Sequence, residues 1–260
     1  MQEVSPEECK KLQLNILINV AKYCEEHSIK YSLAYGTLIG AIRHKGFIPW
    51  DDDIDIIMMR DDYERFVATY RDEKYVLIPG ERLANHLHVV VSDMSTQLEF
   101  NHSPGDSFFY NGGVWVDIFP IDKVPDNKKC FKVAVKLLLF IKNLHRLSQF
   151  TPRKDLYIRL AHLILVPFEG ILKICMLQMM QMFNKTDSKT VADLALCYLP
   201  YPSFPAKLMD EFIDVVFEGF VFKSIKEYDA FLRGIYGNYM EFPPKDQQVP
   251  RHSYRAFIRE

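Results

Sequence analysis

The apolar residues of this chain switch between helical and strand spacing up to about residue 124, then keep helical spacing from Lys128 onward. Leu12, Ile16, Val20 and Tyr23 recur on one helical face behind Ser5-Pro6-Glu7-Glu8. There Ser5 as N-cap, a proline in the first turn and Glu8 closing a capping box predict a helix start. Residues 29–34 read as a strand ending at Gly36, 37–43 as a short helix, and 53–59 as a second strand. Residues 61–70 read as a helix capped by Asp61 or Asp62. Segments 87–91 and 96–100 read as an antiparallel pair joined by the polar stretch 92–95, and 114–119 as a strand between Gly112-Gly113 and Pro120. No internal repeat or low-complexity linker interrupts the pattern.

At 260 residues, with 48% hydrophobic and 25% charged residues, the chain can bury a sizeable core in one large domain or two small ones. A net charge of −2 argues against nucleic acid as the main partner. Within that balance residues 128–173 stand apart: ten Lys or Arg against Asp155 and Glu169 give +8, so the remainder carries −10. Such a stretch is either a set of core helices with solvated cations or a surface that rests on an anionic membrane. No run of 18 uncharged apolar residues occurs, so no transmembrane helix is expected. The acidic start lacks the apolar core of a signal peptide. Cys9, Cys24, Cys130, Cys175 and Cys197 form no CxxC spacing, which points to reduced thiols and a cytoplasmic protein.

The chemistry concentrates in Phe47-Ile48-Pro49-Trp50-Asp51-Asp52-Asp53-Ile54-Asp55-Ile56. If Ile54, Ile56 and Met58 face a core as a strand, Asp51, Asp53 and Asp55 share the other face and Asp52 points away. Three like charges on one face call for a divalent cation, Mg²⁺ or Mn²⁺. An EF-hand is excluded, because its sixth position would be Ile56 rather than Gly and its twelfth Asp62 rather than Glu. Upstream, Tyr35-Gly36-Thr37 ends one strand and opens a helix. Gly36 allows close approach, Thr37 offers a hydroxyl, and the helix N-terminus suits phosphate.

The run from Tyr35-Gly36-Thr37 through Arg43-His44-Lys45 to Trp50-Asp51-Asp52-Asp53-Ile54-Asp55 resembles the hallmark of the LicD family, which includes phosphocholine transferases and is related to the fukutin-type ribitol-phosphate transferases. Trp115-Val116-Asp117-Ile118-Phe119-Pro120-Ile121-Asp122 resembles its second acidic motif, and Tyr236-Gly237-Asn238-Tyr239-Met240-Glu241-Phe242-Pro243-Pro244 its C-terminal motif. The resemblance covers about 13–125 and returns at 230–253. It implies an α+β fold with a nucleotidyltransferase-like core, a mixed β-sheet flanked by helices over 1–125, and a helical portion over 126–260 in which 230–253 completes the active-site side.

It also implies an enzyme that moves phosphocholine from CDP-choline to a hydroxyl of a cell-surface glycan, teichoic acid or lipopolysaccharide, releasing CMP. A CDP-alditol donor, nucleotidyl transfer, and a non-catalytic scaffold are the alternatives, the last being disfavoured because Asp51, Asp53, Asp55 and Asp117 are all present. By the resemblance Asp53 and Asp55 are the metal pair, Asp51 completes the three alternating acids, and Asp117 is a third carboxylate that ligates metal or accepts the hydroxyl proton. Gly36, Thr37, Arg43 and His44 are expected at the donor phosphates. Trp50, with Phe108, Phe109, Tyr110 and Trp115, offers rings for a quaternary ammonium. Tyr236 and Tyr239 are expected to pack the tail, and His252 is a minor candidate. A lipid-linked acceptor at the inner membrane face, with peripheral membrane contact, is the expected partner.

Overall fold

The computed structural model describes residues 2–79, 87–100, 112–149, 156–196, 202–252 and 254–259. A mixed sheet carries the aspartates. It has the order β2 (Ser32–Leu33), β3 (Asp55–Met59), β7 (Trp115–Val124), β5 (Val89–Asp93), β4 (Tyr75–Ile78), and the far end of β7 continues into β8 (Thr190–Ala192) and β9 (Phe204–Pro205). Among the described strands only β3 and β7 run parallel, and their register sets Asp55 opposite Asp117. The fold is α+β with a nucleotidyltransferase-like core.

Helix α1 (Pro6–Glu26) begins at the capping box: the Ser5 hydroxyl accepts from Glu8 N–H at 3.3 Å, and Ser5 N–H donates to the Glu8 carboxylate at 2.9 Å. Its fully buried Ile16, Leu17 and Val20 cover the sheet. Its buried Gln13 donates to the Asp52 carbonyl at 2.8 Å, which ties the helix to the aspartate run. Two short elements follow β2: α2 (Tyr35–Ile39) and a π-helical turn over Gly40–His44. Helix α3 (Arg60–Thr69) leaves β3, and its Arg60 makes a bidentate pair with the fully buried Asp122 of β7 at 2.7 and 2.6 Å.

Two expectations fail here, each for a packing reason. Strand β3 is covered on both faces, so Ile56, Ile57 and Met58 are all fully buried and buried positions do not alternate with exposed ones; Asp51, Asp53 and Ile54 precede the strand. The segments around 89–93 and 96–100 do not pair. After a turn at Met94-Ser95, β6 (Thr96–Phe100) joins β12 (Tyr254–Ile258), which pairs with β1 (Gln2–Val4). The turn holds because the Thr96 hydroxyl donates to the Asp93 carbonyl and accepts from Val114 N–H, so residues 113–114 occupy the place a hairpin partner would take.

The chain beyond 126 is not uniformly helical. Helices α4 (Lys128–Gln149), α5 (Leu156–Leu165) and α6 (Glu169–Gln181) are followed by the hairpin β10 (Phe212–Phe217)/β11 (Phe220–Ile225), then α7 (Tyr228–Tyr236) and β12. Glu218 and Gly219, both at positive φ (49° and 80°), make the hairpin turn. Glu218 accepts from Phe47 N–H at 2.9 Å and donates its own N–H to the Lys45 carbonyl at 2.9 Å, so the hairpin tip clamps the loop that leads into the aspartates.

Residues 157–181, made of α5, a 3₁₀ turn and α6, form a long apolar stretch although no 18 consecutive residues are uncharged. Its most apolar 18-residue window has a mean hydropathy of 1.8 and is 6% buried, so by length and composition the run could cross a membrane. Arg159, Glu169 and Lys173 are spaced along it, so no uncharged 18-residue stretch exists to reveal it.

Candidate active site

Asp51, Asp53, Asp55 and Asp117 all line one cavity of about 1060 Å³. Backbone bonds fix the acids: Asp117 N–H donates to the Ile54 carbonyl at 2.9 Å, and Ala34 N–H to the Asp55 carbonyl at 3.0 Å. The Asp117 carboxylate is aimed by two donors, His88 Nε2 at 2.8 Å and Trp115 Nε1 at 2.6 Å. Opposite, the chain returns through residues 236–252, which supply Tyr236, Tyr239, Phe242, Arg251 and His252 to the cavity wall.

The electrostatics record crowding of like charge. Burial, then the Asp52 charge, pushes the Asp51 carboxyl up to about 6. Burial and the Asp51 charge push Asp53 up to about 8. Asp55 is raised well above the carboxylate range by burial, Asp53 and Asp117. His252 answers from the other side. Burial opposes its charge, but the Asp52 hydrogen bond and the Asp53, Asp52 and Asp117 charges hold it up at about 9.

Asp52 and His252 are the main departure from the sequence reading. Asp52 does not line the cavity, yet it is no bystander: its carboxylate accepts from His252 N–H at 2.9 Å and lies 3.2 Å from Nδ1, while Nδ1 is 3.7 Å from Asp53. Among the described residues the one set of acidic, imidazole or thiol ligand atoms lying within 4.8 Å of one another is Asp52, Asp53 and His252, rather than Asp53, Asp55 and Asp117. The carboxylates hold apart by mutual repulsion, whereas the imidazolium draws two of them together.

Gly36 lines the cavity for a different reason than expected. A Cβ there would fall 2.4 Å from Asp51 Oδ2, so the glycine admits the Asp51 carboxylate against α2. Thr37 is buried and outside the cavity wall; its hydroxyl accepts from Asp55 N–H at 2.9 Å and locks α2 to β3 instead of facing phosphate. Arg43 reaches the cavity but spends Nη1 on the carbonyls of Tyr239 (2.7 Å) and Glu241 (3.2 Å), with its guanidinium 4.6 Å over the Phe242 ring. It fastens the C-terminal motif to the site.

His44 does not line the cavity and sits edge-on to Phe242 at 5.7 Å. Trp50 lines it, 6.0 Å from Phe242, whereas Trp115 serves Asp117. Tyr236 and Tyr239 both reach the wall while Tyr239 also packs the tail, its hydroxyl donating to Asp229 at 3.0 Å. Phe108, Phe109 and Tyr110 lie outside the described residues. His88, Lys142 and Arg251 also reach the wall without having been singled out in the sequence. Each is a lone basic residue in an ordinary context, and only the folded chain brings them to the acids.

Residues 28–153 match the family model described as LicD/FKTN/FKRP, nucleotidyltransferase domain. Over 99% of this chain and 100% of the relative, the sequence is 31% identical to the lipopolysaccharide cholinephosphotransferase LicD of Haemophilus influenzae. An uncharacterized protein of Rickettsia typhi is 32% identical over 40% of this chain and 32% of its own length. Another from Rickettsia prowazekii is 54% identical over 14% of each.

Proposed function

The chain belongs to the LicD/FKTN/FKRP nucleotidyltransferase family, and from that premise we propose that it transfers phosphocholine from CDP-choline to a hydroxyl of a lipid-linked glycan such as a lipopolysaccharide precursor, releasing CMP. The observation that carries this reading is the convergence of Asp51, Asp53, Asp55 and Asp117 on one cavity also lined by Arg43, Lys142, Arg251 and His252. Acids suit a hard cation, and the flanking bases suit a diphosphate.

The donor set fits Mg²⁺ or Mn²⁺. Buried carboxylates pushed up by their neighbours gain most from a divalent cation, and Asp53 feels the charges of Asp51, Asp52 and Asp117. Such an ion, when bound, neutralises charge on the donor phosphates. The chain's own groups do the rest. Arg251 and Lys142 face the phosphates, and His252, held by Asp52, keeps Asp53 oriented. Asp117, aimed by His88 and Trp115, accepts the proton of the acceptor hydroxyl. The hydroxyl oxygen then attacks the β-phosphorus, the bond from that phosphorus to the CMP oxygen breaks, and CMP leaves. Positioning and charge supply most of the rate in such transfers. Trp50, Tyr236 and Phe242 on the wall offer rings for the quaternary ammonium, which favours choline over an alditol.

The test is CMP release from CDP-choline with a lipopolysaccharide acceptor and Mg²⁺, run beside a CDP-alditol. Preference for the alditol would replace the donor; no CMP from either would overturn the reading.

A further inference from the structure

We propose that α4, α5 and α6 form a docking face by which this protein lies on an anionic phospholipid surface, with apolar side chains among the acyl chains and lysines and arginines at headgroup level. On α4, Val133, Leu137 and Phe140 recur at spacings of four and three residues and are exposed, Val133 to 65%. On α5, Leu160, Leu163 and Ile164 project in the same way, Leu163 to 68%. Ile171 and Ile174 of α6 extend the exposed apolar surface. A monomer in water rarely leaves so much contiguous apolar side chain uncovered.

Charge identifies the occupant. Among the described residues of these helices, eight lysines and arginines face one acid, Glu169. Lys129, Lys132, Lys136 and Arg146 are all exposed on α4 beside the apolar stripe. An apolar stripe bordered by cations, with almost no acid, complements an anionic lipid surface. It matches poorly with a second copy of itself, since two such faces would repel.

The helices lie in the interface rather than cross it. Helix α5 has ten residues, about 15 Å at 1.5 Å per residue, about half the hydrocarbon thickness of a bilayer. A 3₁₀ turn at Val166–Phe168, containing Pro167, separates it from α6. Arg159, Glu169 and Lys173 punctuate the run, and both helices pack against α4.

Helix α4 carries this face and, on its opposite side, Lys142 of the aspartate cavity wall. Docking does not rest on the proposed transfer reaction.

The test sediments the full-length protein with vesicles of phosphatidylcholine alone or with about a third phosphatidylglycerol. The protein is expected to pellet with the anionic vesicles only, to be released by molar salt and by alkaline carbonate, and to remain monomeric by light scattering without lipid. Leu163→Asp/Ile164→Asp is expected to abolish pelleting with an unchanged unfolding midpoint and unchanged turnover of a delipidated acceptor. Lys132→Glu/Lys136→Glu is expected to weaken it by about 25-fold or more, at about fivefold per lysine lost. Failure to bind anionic vesicles would overturn the proposal. So would retention after carbonate, which means a spanning helix, or a stable dimer that the Leu163→Asp/Ile164→Asp variant dissociates. CMP formation without vesicle binding would overturn docking and leave the transfer reaction standing.

Discussion

Replacing Asp51 by Asn should stabilise the metal-free protein at alkaline pH while removing its activity. The Asp51 carboxyl is pushed from 3.8 up to about 6, chiefly by burial and then by Asp52. A carboxyl whose folded pKa lies above its unfolded one keeps an extra proton in the folded state between the two values. The stability it contributes is therefore intact below about pH 4 and lost as pH rises to about 6. At 1.36 kcal/mol per pKa unit, that loss approaches 3 kcal/mol, or roughly 5–10 °C in Tm for a chain of this size. Asp53, raised to about 8, and His252, raised to about 9, tilt the wild-type curve the same way as pH climbs further. Thermal and urea unfolding of chelator-treated wild type and Asp51→Asn at about pH 5 and pH 8 read the effect. The variant should gain most at the higher pH, and added Mg²⁺ or Mn²⁺ should close the gap by stabilising wild type more. An Asp51→Asn protein no more stable than wild type at about pH 8 would refute the idea that burial and the neighbouring Asp52 disfavour the Asp51 charge.

Other predictions follow the same geometry. Gly36→Ala places a Cβ 2.4 Å from Asp51 Oδ2 and should lower kcat at least tenfold with a loss of stability of about 1–3 kcal/mol, measured by turnover and urea unfolding. Arg60→Met leaves the fully buried Asp122 without its ion pair and should cost about 3–5 kcal/mol in urea unfolding, far from the chemistry. His252→Ala frees Asp52 and lets Asp53 swing, so kcat should fall about 10–100-fold and Tm should fall as well at neutral pH, and His252→Gln should recover part of the rate.

Much of this site could be read from the chain. The capping box at Ser5, the Gly36 turn, the aspartate run and Asp117 are all local signals, and the folded chain brings Gly36, Asp51, Asp53, Asp55 and Asp117 to one cavity. Alternation of faces assumed a half-exposed strand, whereas β3 is buried on both sides and Asp51 and Asp53 sit in the loop before it. That loop takes its shape from distant partners: Gln13 on Asp52, and Glu218 on Phe47 and Lys45. Neither leaves a mark in a local window.

The same holds for the bond between Asp52 and His252, which spans 200 residues. The exposed apolar stretch 157–181 is hard to see because charges at 159, 169 and 173 divide it in sequence, while α5, the 3₁₀ turn and α6 follow one another in the fold. The β10/β11 hairpin was read as helical because Phe212–Phe217 and Phe220–Ile225 are short apolar runs, which periodicity alone does not separate from helix.

The central claim is that the aspartate cavity performs phosphocholine transfer. Its most direct test is CMP release from CDP-choline by the purified protein with a lipopolysaccharide acceptor and Mg²⁺, wild type beside Asp53→Ala. The account predicts CMP and labelled glycan in equal amounts from wild type, and at least a thousandfold less from a variant that still folds. Equal turnover by Asp53→Ala would contradict it.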